Sequence, residues 1–203
     1  MENISLSLRT SMMRETLIYK DFPMPPEFED SGWKLFYSPD GRLCQLSQGL
    51  RCWMGNGPDE QTDMADSAVR LHGNCLVLGL GIGLIVQHLD HLKKCKSITV
   101  VEKSPIVIKN ISNWLRSQIT TPLEIICDDD EKFLEKTDGK WDTMFADTWE
   151  LCTDALEKIE RLKVLAKGKI RGKKIYWAEW KLKIMKKYKC WEDSRQAEVH
   201  GYC

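Results

Sequence analysis

The sequence lacks several features that would each have placed it in a well-defined class of protein. Its 203 residues contain no apolar run of the roughly 18 residues that a membrane-spanning helix needs, and the N-terminus is polar, so no membrane partner is expected. The eight cysteines form no Cys-x-x-Cys pair, and the four histidines lie apart from them in the sequence. We therefore predict neither a disulfide framework nor a metal site, and we expect a cytoplasmic protein in a reducing compartment.

The chain as a whole carries no net charge, but its charged residues are unevenly distributed. The 30 basic residues balance the 30 acidic ones, whereas residues 158–189 carry thirteen Lys or Arg against two acids. Clustered basic residues with Tyr176 and Trp177 among them are compatible with nucleic-acid binding. However, most of these lysines precede the last predicted strand or share one face of a terminal helix. A solvated surface is therefore the preferred interpretation, and nucleic acid is the lesser one.

The first part of the sequence, residues 1–58, predicts a small antiparallel β region. Alternation at Ile4, Leu6 and Leu8 suits a short strand. After a proline-rich connection, residues 33–37 and 42–46 flank a Ser-Pro-Asp-Gly turn, which predicts a hairpin, and residues 51–54 could add a third strand. Such a sheet is too small to be stable alone, so we expect it to dock on the domain that follows.

From residue 59 to residue 189 the pattern alternates between helix and strand. We predict strands at residues 75–78, 97–102, 123–127, 141–146 and 174–178, with helices between them and a basic helix at the end. Asp59 is the expected cap of the first of these helices, and Ser104 with Pro105 is expected to open a later one. Parallel strands need helical crossovers, so this order predicts a doubly wound, mainly parallel sheet. Residues 190–203 are polar and aperiodic and predict a mobile tail.

One stretch, residues 75–102, organises this domain. A buried strand leads into a turn with Gly79, Gly81 and Gly83, and after a helix the next strand ends on Glu102. Glycines let backbone approach a ligand closely, and the carboxylate can accept hydrogen bonds from ribose hydroxyls. A dinucleotide turn needs Gly or Ala at its sixth position, where this chain has Leu84, so a dinucleotide is disfavoured.

Acidic residues follow two further strands of the predicted sheet. Asp128 and Asp129 come after the third strand, and Asp147 follows the fourth. Ligands of open α/β sheets bind beyond the carboxyl ends of the strands. Polar groups from four strands are therefore predicted to meet at one edge.

Taken together, these motifs resemble the class I S-adenosylmethionine-dependent methyltransferases, and within them the spermidine-synthase-like branch. The resemblance covers roughly residues 33–188 and rests on the glycine turn, Val-Val-Glu-Lys-Ser-Pro at 100–105, Asp-Asp-Glu-Lys-Phe-Leu at 129–134 and Trp-Asp-Thr-Met-Phe-Ala-Asp-Thr-Trp at 141–149. It implies a Rossmann-like α/β fold and S-adenosylmethionine as cofactor. The chain departs from the family at the end of the sheet, where we expect no final reversed hairpin.

The resemblance also implies roles for single residues. The three glycines would lie against the adenosyl and amino-acid parts of the cofactor, Glu102 would bind the ribose diol, and Lys103 beside it belongs to the same cofactor-binding set. Asp129 would accept from the adenine amino group, with Asp128 as the alternative. Asp147 would lie near the sulfonium and hold or deprotonate the acceptor. Each position also has a structural interpretation, as close packing, a solvated strand end or a helix cap.

The function that the sequence favours is methyl transfer to an unidentified acceptor. One alternative is aminopropyl transfer from decarboxylated S-adenosylmethionine, as in spermidine synthases. It is disfavoured because those enzymes carry an acid inside the glycine turn, where this chain has Ile82 and Leu84, and because Asp147-Thr-Trp-Glu replaces their Asp-Ser/Thr-Asp-Pro. Another alternative is a binder that holds the cofactor without turnover. A homodimer through the N-terminal sheet is implied by the resemblance alone.

Overall fold

The computed structural model describes residues 6–18, 20–149 and 152–187, with side chains described from residue 10 onward and not at residues 152–154. It begins with helix α1 (Leu6–Ile18), so the short strand predicted over residues 4–8 is wrong for the part that is described. Leu17 is fully buried, and Arg14 pairs with Asp66 of the next helix. Three alternating apolar residues are too short a pattern to outweigh this tertiary packing.

A small antiparallel sheet follows, as predicted. It contains β1 (Phe28–Asp30), β2 (Trp33–Tyr37), β3 (Cys44–Gln48) and β4 (Arg51–Gly55), in that spatial order. The predicted hairpin is β2 and β3, in which Tyr37 pairs with Cys44 across the turn. Strand β1, at the end of the proline-rich connection, was not predicted.

The main sheet has five parallel strands in the order β7-β6-β5-β8-β9. Its strands are β5 (Gly73–Leu78), β6 (Cys95–Glu102), β7 (Leu123–Cys127), β8 (Thr143–Ala146) and β9 (Lys174–Tyr176). In chain order this is third, second, first, fourth and fifth, which is the order of a doubly wound Rossmann-like sheet. The predicted fold class, a Rossmann-like doubly wound parallel sheet preceded by a small antiparallel region, is confirmed, and within the described residues β9 ends the sheet without a reversed hairpin.

Helices cover both faces of this sheet because the chain reverses its direction across the sheet after β7, so that right-handed crossovers before and after β7 lie on opposite faces. The helices are α2 (Pro58–Ala68), α3 (Leu84–Leu92), α4 (Pro105–Gln118), α5 (Asp130–Lys136), α6 (Cys152–Leu165) and α7 (Glu179–Lys187). Ser104 caps α4 as predicted, with its hydroxyl accepting from the Val107 N–H at 3.2 Å. The predicted Asp59 cap of α2 is wrong, since Gly57 is the N-cap and Pro58 opens the helix.

Alternate residues of β5 pack into two separate hydrophobic cores, one on each face of the sheet. Cys75 and Val77 pack with α2, α3 and α4, and the same core includes Leu35 and Leu46 of the small sheet. Leu76 and Leu78 pack on the other face with α5, α6 and α7. The small sheet is thus docked on one layer of the main domain, as its size required.

The C-terminal helix is amphipathic only in part. Leu182 is buried, whereas Ile184 is 47% exposed. The tail predicted for residues 190–203 lies outside the described residues. Of the helices in the described part of the chain, none has both the length and the apolar character needed to cross a membrane.

Candidate functional site

A cavity lies at the carboxyl edge of the main sheet, where the sequence placed the ligand. The space between its walls, including the part that is open to solvent, measures about 830 Å³. Residues from the ends of β5, β6, β7 and β8 line it together: Gly79, Leu80, Gly81, Glu102, Lys103, Asp128 and Asp147. The predicted convergence of four strand ends is therefore present in the fold.

The glycine turn forms one wall of the cavity, and each of its glycines is also required by the protein's own packing. Gly79, Gly81 and Gly83 all have positive φ, at +94°, +51° and +79°. A Cβ on Gly79 would overlap the backbone oxygen of Asp147, and one on Gly81 would overlap the sulfur of Met54. A Cβ on Gly83 would meet Leu115 at 3.0 Å. Gly79 and Gly81 line the cavity, whereas Gly83 is absent from its lining and caps α3.

Glu102 stands at the end of β6 and holds the glycine turn in place. One carboxylate oxygen accepts from the backbone N–H of Leu80 at 2.9 Å, and the other accepts from the N–H of Ser104 at 2.8 Å. A carboxylate has about four acceptor positions, so these two bonds leave room for hydroxyl donors from the cavity. The side chain is therefore structurally fixed and can also receive a ligand.

The acids after β7 divide into two groups. Asp129 is the N-cap of α5 and accepts from the Lys132 N–H at 3.2 Å, and it does not belong to the cavity lining. Asp128 does line the cavity. Of the two acids expected near the adenine, Asp128 therefore faces the cavity, whereas Asp129, the one preferred from the resemblance, caps the helix that begins at residue 130.

Asp130 and Lys158 are cavity residues that the sequence did not single out. Asp130 is 5% exposed, its carboxylate lies 3.2 Å from the Lys158 ammonium, and the Thr148 hydroxyl donates to it. Lys158 also donates to the Thr148 carbonyl at 3.1 Å. This pair ties α5 and α6 to the loop after β8, next to Asp147. No local pattern marks Lys158, which belongs to a run of basic residues.

Asp147 follows β8 at its carboxyl end, where it is half-buried and lines the cavity. Burial, with a smaller contribution from the negative charge of Asp63, raises the pKa of Asp147 to about 7. On α2, burial and then the charges of Asp147 and Asp63 raise the pKa of Glu60 to about 8. Asp63 itself pairs with the Lys181 ammonium of α7 at 2.6 Å. Near neutral pH, Asp147 is therefore divided between its acid and base forms.

The small sheet and α2 supply the remaining apolar wall, in which Trp33, Leu46, Trp53, Met54 and Met64 line the cavity. Trp53 stacks on Trp33 with ring centroids 5.7 Å apart, and the Lys103 ammonium lies 5.8 Å from the Trp53 ring. Trp53 therefore forms part of the cavity wall.

The basic stretch lies largely away from the cavity. Lys163 pairs with Glu160 and Glu179, and Lys183 pairs with Glu179 as well. These contacts indicate a solvated, partly paired surface, with Lys158 as the member that faces the cavity.

Comparison with known proteins gives structural likenesses only. No protein-family model and no curated protein matches the sequence. The fold is similar to that of a spermidine synthase from Thermotoga maritima, with 11% identity, a TM-score of 0.47 and coverage of 73% of this chain and 53% of the other. An S-adenosylmethionine-dependent methyltransferase from Clostridium acetobutylicum shows 18% identity and a TM-score of 0.39 over 52% of this chain and 42% of the other.

A dimethyladenosine transferase from Plasmodium falciparum shows 15% identity and a TM-score of 0.43, covering 60% of this chain and 42% of that one. The chain thus spans only about half of the length of these solved structures. At such values the likeness carries no argument about activity, which has to come from the site itself.

Proposed function

We propose that the protein binds S-adenosylmethionine in this cavity and transfers its methyl group to an acceptor that is not yet identified. The observation that carries the proposal is the cavity itself, which collects the glycine turn, Glu102, Asp128 and Asp147 in one place. Together with the apolar wall, these groups fit a nucleoside with two ribose hydroxyls, an adenine amino group and a cationic sulfonium.

Two acceptor groups of the cavity support this assignment. Glu102 has acceptor positions left for the ribose hydroxyls, and Asp128 offers a carboxylate for the adenine amino group. Lys103 follows Glu102 in the chain, its ammonium lies 5.8 Å from the Trp53 ring, and both side chains line the cavity. When bound, S-adenosylmethionine supplies an electrophilic methyl group on a positively charged sulfur.

Asp147 is the residue proposed to act on the acceptor. Its ionised form favours a nearby positive charge and can hold an O–H or N–H nucleophile in line for transfer. With a pKa of about 7, it can also take a proton from that nucleophile at neutral pH. Alignment of this kind lowers a barrier without a covalent enzyme intermediate.

The test is isothermal titration calorimetry with S-adenosylmethionine, its decarboxylated form and S-adenosylhomocysteine. We expect wild-type protein to bind S-adenosylmethionine and S-adenosylhomocysteine, and Glu102→Ala to lose that binding. Because Glu102 also braces the glycine turn, Glu102→Gln serves as a second variant that keeps one acceptor oxygen. Glu124→Ala, on the exposed side of the neighbouring strand, is the matched control and should bind normally.

Failure of wild-type protein to bind any of the three compounds would refute the cofactor assignment. Exclusive binding of the decarboxylated compound would instead support aminopropyl transfer. Binding without turnover across a panel of methyl acceptors would support the passive binder. Asp147→Ala should keep binding within a few fold while abolishing turnover, because Asp147 is assigned to the acceptor.

A further inference from the structure

Met54 of strand β4 covers the glycine turn. A Cβ built on Gly81 would overlap the Met54 sulfur and would lie 3.7 Å from its Cγ and 3.8 Å from its Cε. Met54 is half-buried and lines the cavity together with Gly81. The surface that the turn would offer to a ligand at Gly81 is therefore covered by a side chain from the small sheet.

The placement of Met54 follows from an irregularity in the small sheet. Leu46 pairs with Met54, while the next residue of β3, Ser47, pairs with Cys52. Trp53 is thus the extra residue of a bulge, and bulges re-aim side chains. Trp53 meets Lys103 and Met54 meets Gly81, so two consecutive residues contact the ends of β6 and β5 across the cavity.

The side chain of methionine suits a movable cover. It is unbranched, with three rotatable bonds and a polarizable sulfur, so it can leave Gly81 by changing rotamer while the backbone stays in place. A ligand chain that lies along the glycine turn has to displace this side chain to reach Gly81. Exchange of the ligand then requires the Met54 side chain to move.

We infer that Met54 closes the cavity over the glycine turn and controls the rate at which an adenosyl ligand enters and leaves. This inference rests on the proposed function, since it takes the ligand to be S-adenosylmethionine or its product. It assigns the small sheet a role in ligand exchange, in addition to its packing on the main domain.

The test is stopped-flow measurement of S-adenosylhomocysteine binding to wild-type, Met54→Ala and Met54→Leu proteins. Met54→Ala should raise the association and dissociation rate constants together, each at least about tenfold, with a smaller change in Kd. Met54→Leu nearly conserves volume but is branched and has fewer rotatable bonds, so it should raise neither rate constant above the wild-type value. Leu50→Ala, at a fully exposed position just before β4, is the control and should change neither rate constant.

A rise in the dissociation rate constant alone would overturn the inference, because it would make Met54 an ordinary contact of the ligand. Rate constants that stay within twofold of wild type would overturn it as well. Circular dichroism establishes that each variant is folded before its rates are compared.

Hydrogen exchange of the ligand-free protein separates this inference from the proposed function. Met54→Ala should speed exchange in the peptide that contains residues 79–83 at least about tenfold and leave β7 unchanged. If no adenosyl compound binds either protein, the proposed function fails and ligand exchange fails with it. If hydrogen exchange at residues 79–83 is nevertheless faster in Met54→Ala, Met54 still covers the turn in the ligand-free protein. If hydrogen exchange there is unchanged, Met54 does not cover the turn either.

Discussion

Replacing Asp147 by Asn should stabilise the protein, and the gain should grow with pH. Burial raises the pKa of Asp147 to about 7 in the folded state, whereas an unfolded aspartate has a pKa of about 4. Between these two values the folded state binds more protons than the unfolded state, so stability falls as the pH rises. An amide in this position carries no charge to desolvate at any pH.

The expected magnitude follows from the two pKa values. Below pH 4 both states are protonated and the carboxyl has no pH-dependent effect, whereas above pH 7 its full cost applies. That cost is about 4 kcal/mol as an upper limit, at 1.36 kcal/mol for each factor of ten in the ionisation constant. Between pH 5 and pH 8 the advantage of Asp147→Asn should grow by about 3 kcal/mol.

Glu60 adds to this effect in the same direction. The charge of Asp147 is one of the causes that raise the pKa of Glu60 to about 8. Removing that charge lets Glu60 ionise at a smaller cost, so the variant gains further above neutral pH. Asp138→Asn, at an exposed position, is the matched control and should show a small, pH-independent change.

The assay is urea unfolding of wild-type and variant proteins at pH 5, 6, 7 and 8, with slopes compared to exclude a change in the unfolded state. A stability difference that does not vary with pH would refute the reasoning. A variant that is destabilised most at pH 8 would show that Asp147 is ionised and well solvated or paired in the folded protein.

Two further perturbations probe the packing around the cavity. Gly79→Ala should cost at least about 3 kcal/mol of unfolding free energy, because φ is +94° and the new Cβ overlaps a backbone oxygen. Gly49→Ala is the control, because Gly49 has a φ of +59° and no atom lies within 4 Å of the new Cβ; in urea unfolding it should cost only about 1 kcal/mol. Equal costs for Gly79→Ala and Gly49→Ala would contradict the overlap at Gly79. Lys158→Met should cost about 3 to 5 kcal/mol by leaving Asp130 buried without its cation. Adding Asp130→Asn should recover part of that loss, and a single-variant cost below about 1 kcal/mol would show that the pair is solvated.

Most of the main sheet could be predicted from the sequence because its signals are local. Buried strands are short apolar runs, and the crossover helices carry the helical period, so the order of elements leads to a parallel sheet. Strand β7 was predicted at its observed bounds, and the Ser104 cap was read from two adjacent residues. Helix α1 was missed because its helical nature depends on Leu17 packing into a core that is formed elsewhere in the chain.

The sequence predicted which strand ends meet at the candidate site. It did not predict the part that each single side chain plays there. The resemblance implied Asp129 before Asp128 for the adenine contact, and the start of α5 is what turns Asp129 into a cap. Lys158 lies in a run of basic residues, and only the packing of α6 beside α5 brings it to Asp130.

The sequence by itself determined the parallel sheet, the glycine turn and the acidic residues at the carboxyl ends of the strands, because each depends on residues close together in the chain. Tertiary structure alone decided what closes that edge. Met54 reaches Gly81 through a bulge in a separate sheet, and Asp147 acquires a pKa near neutrality from burial and from Asp63 on another element. Contacts and desolvation between remote segments arise only when the chain is folded, so no local pattern encodes them.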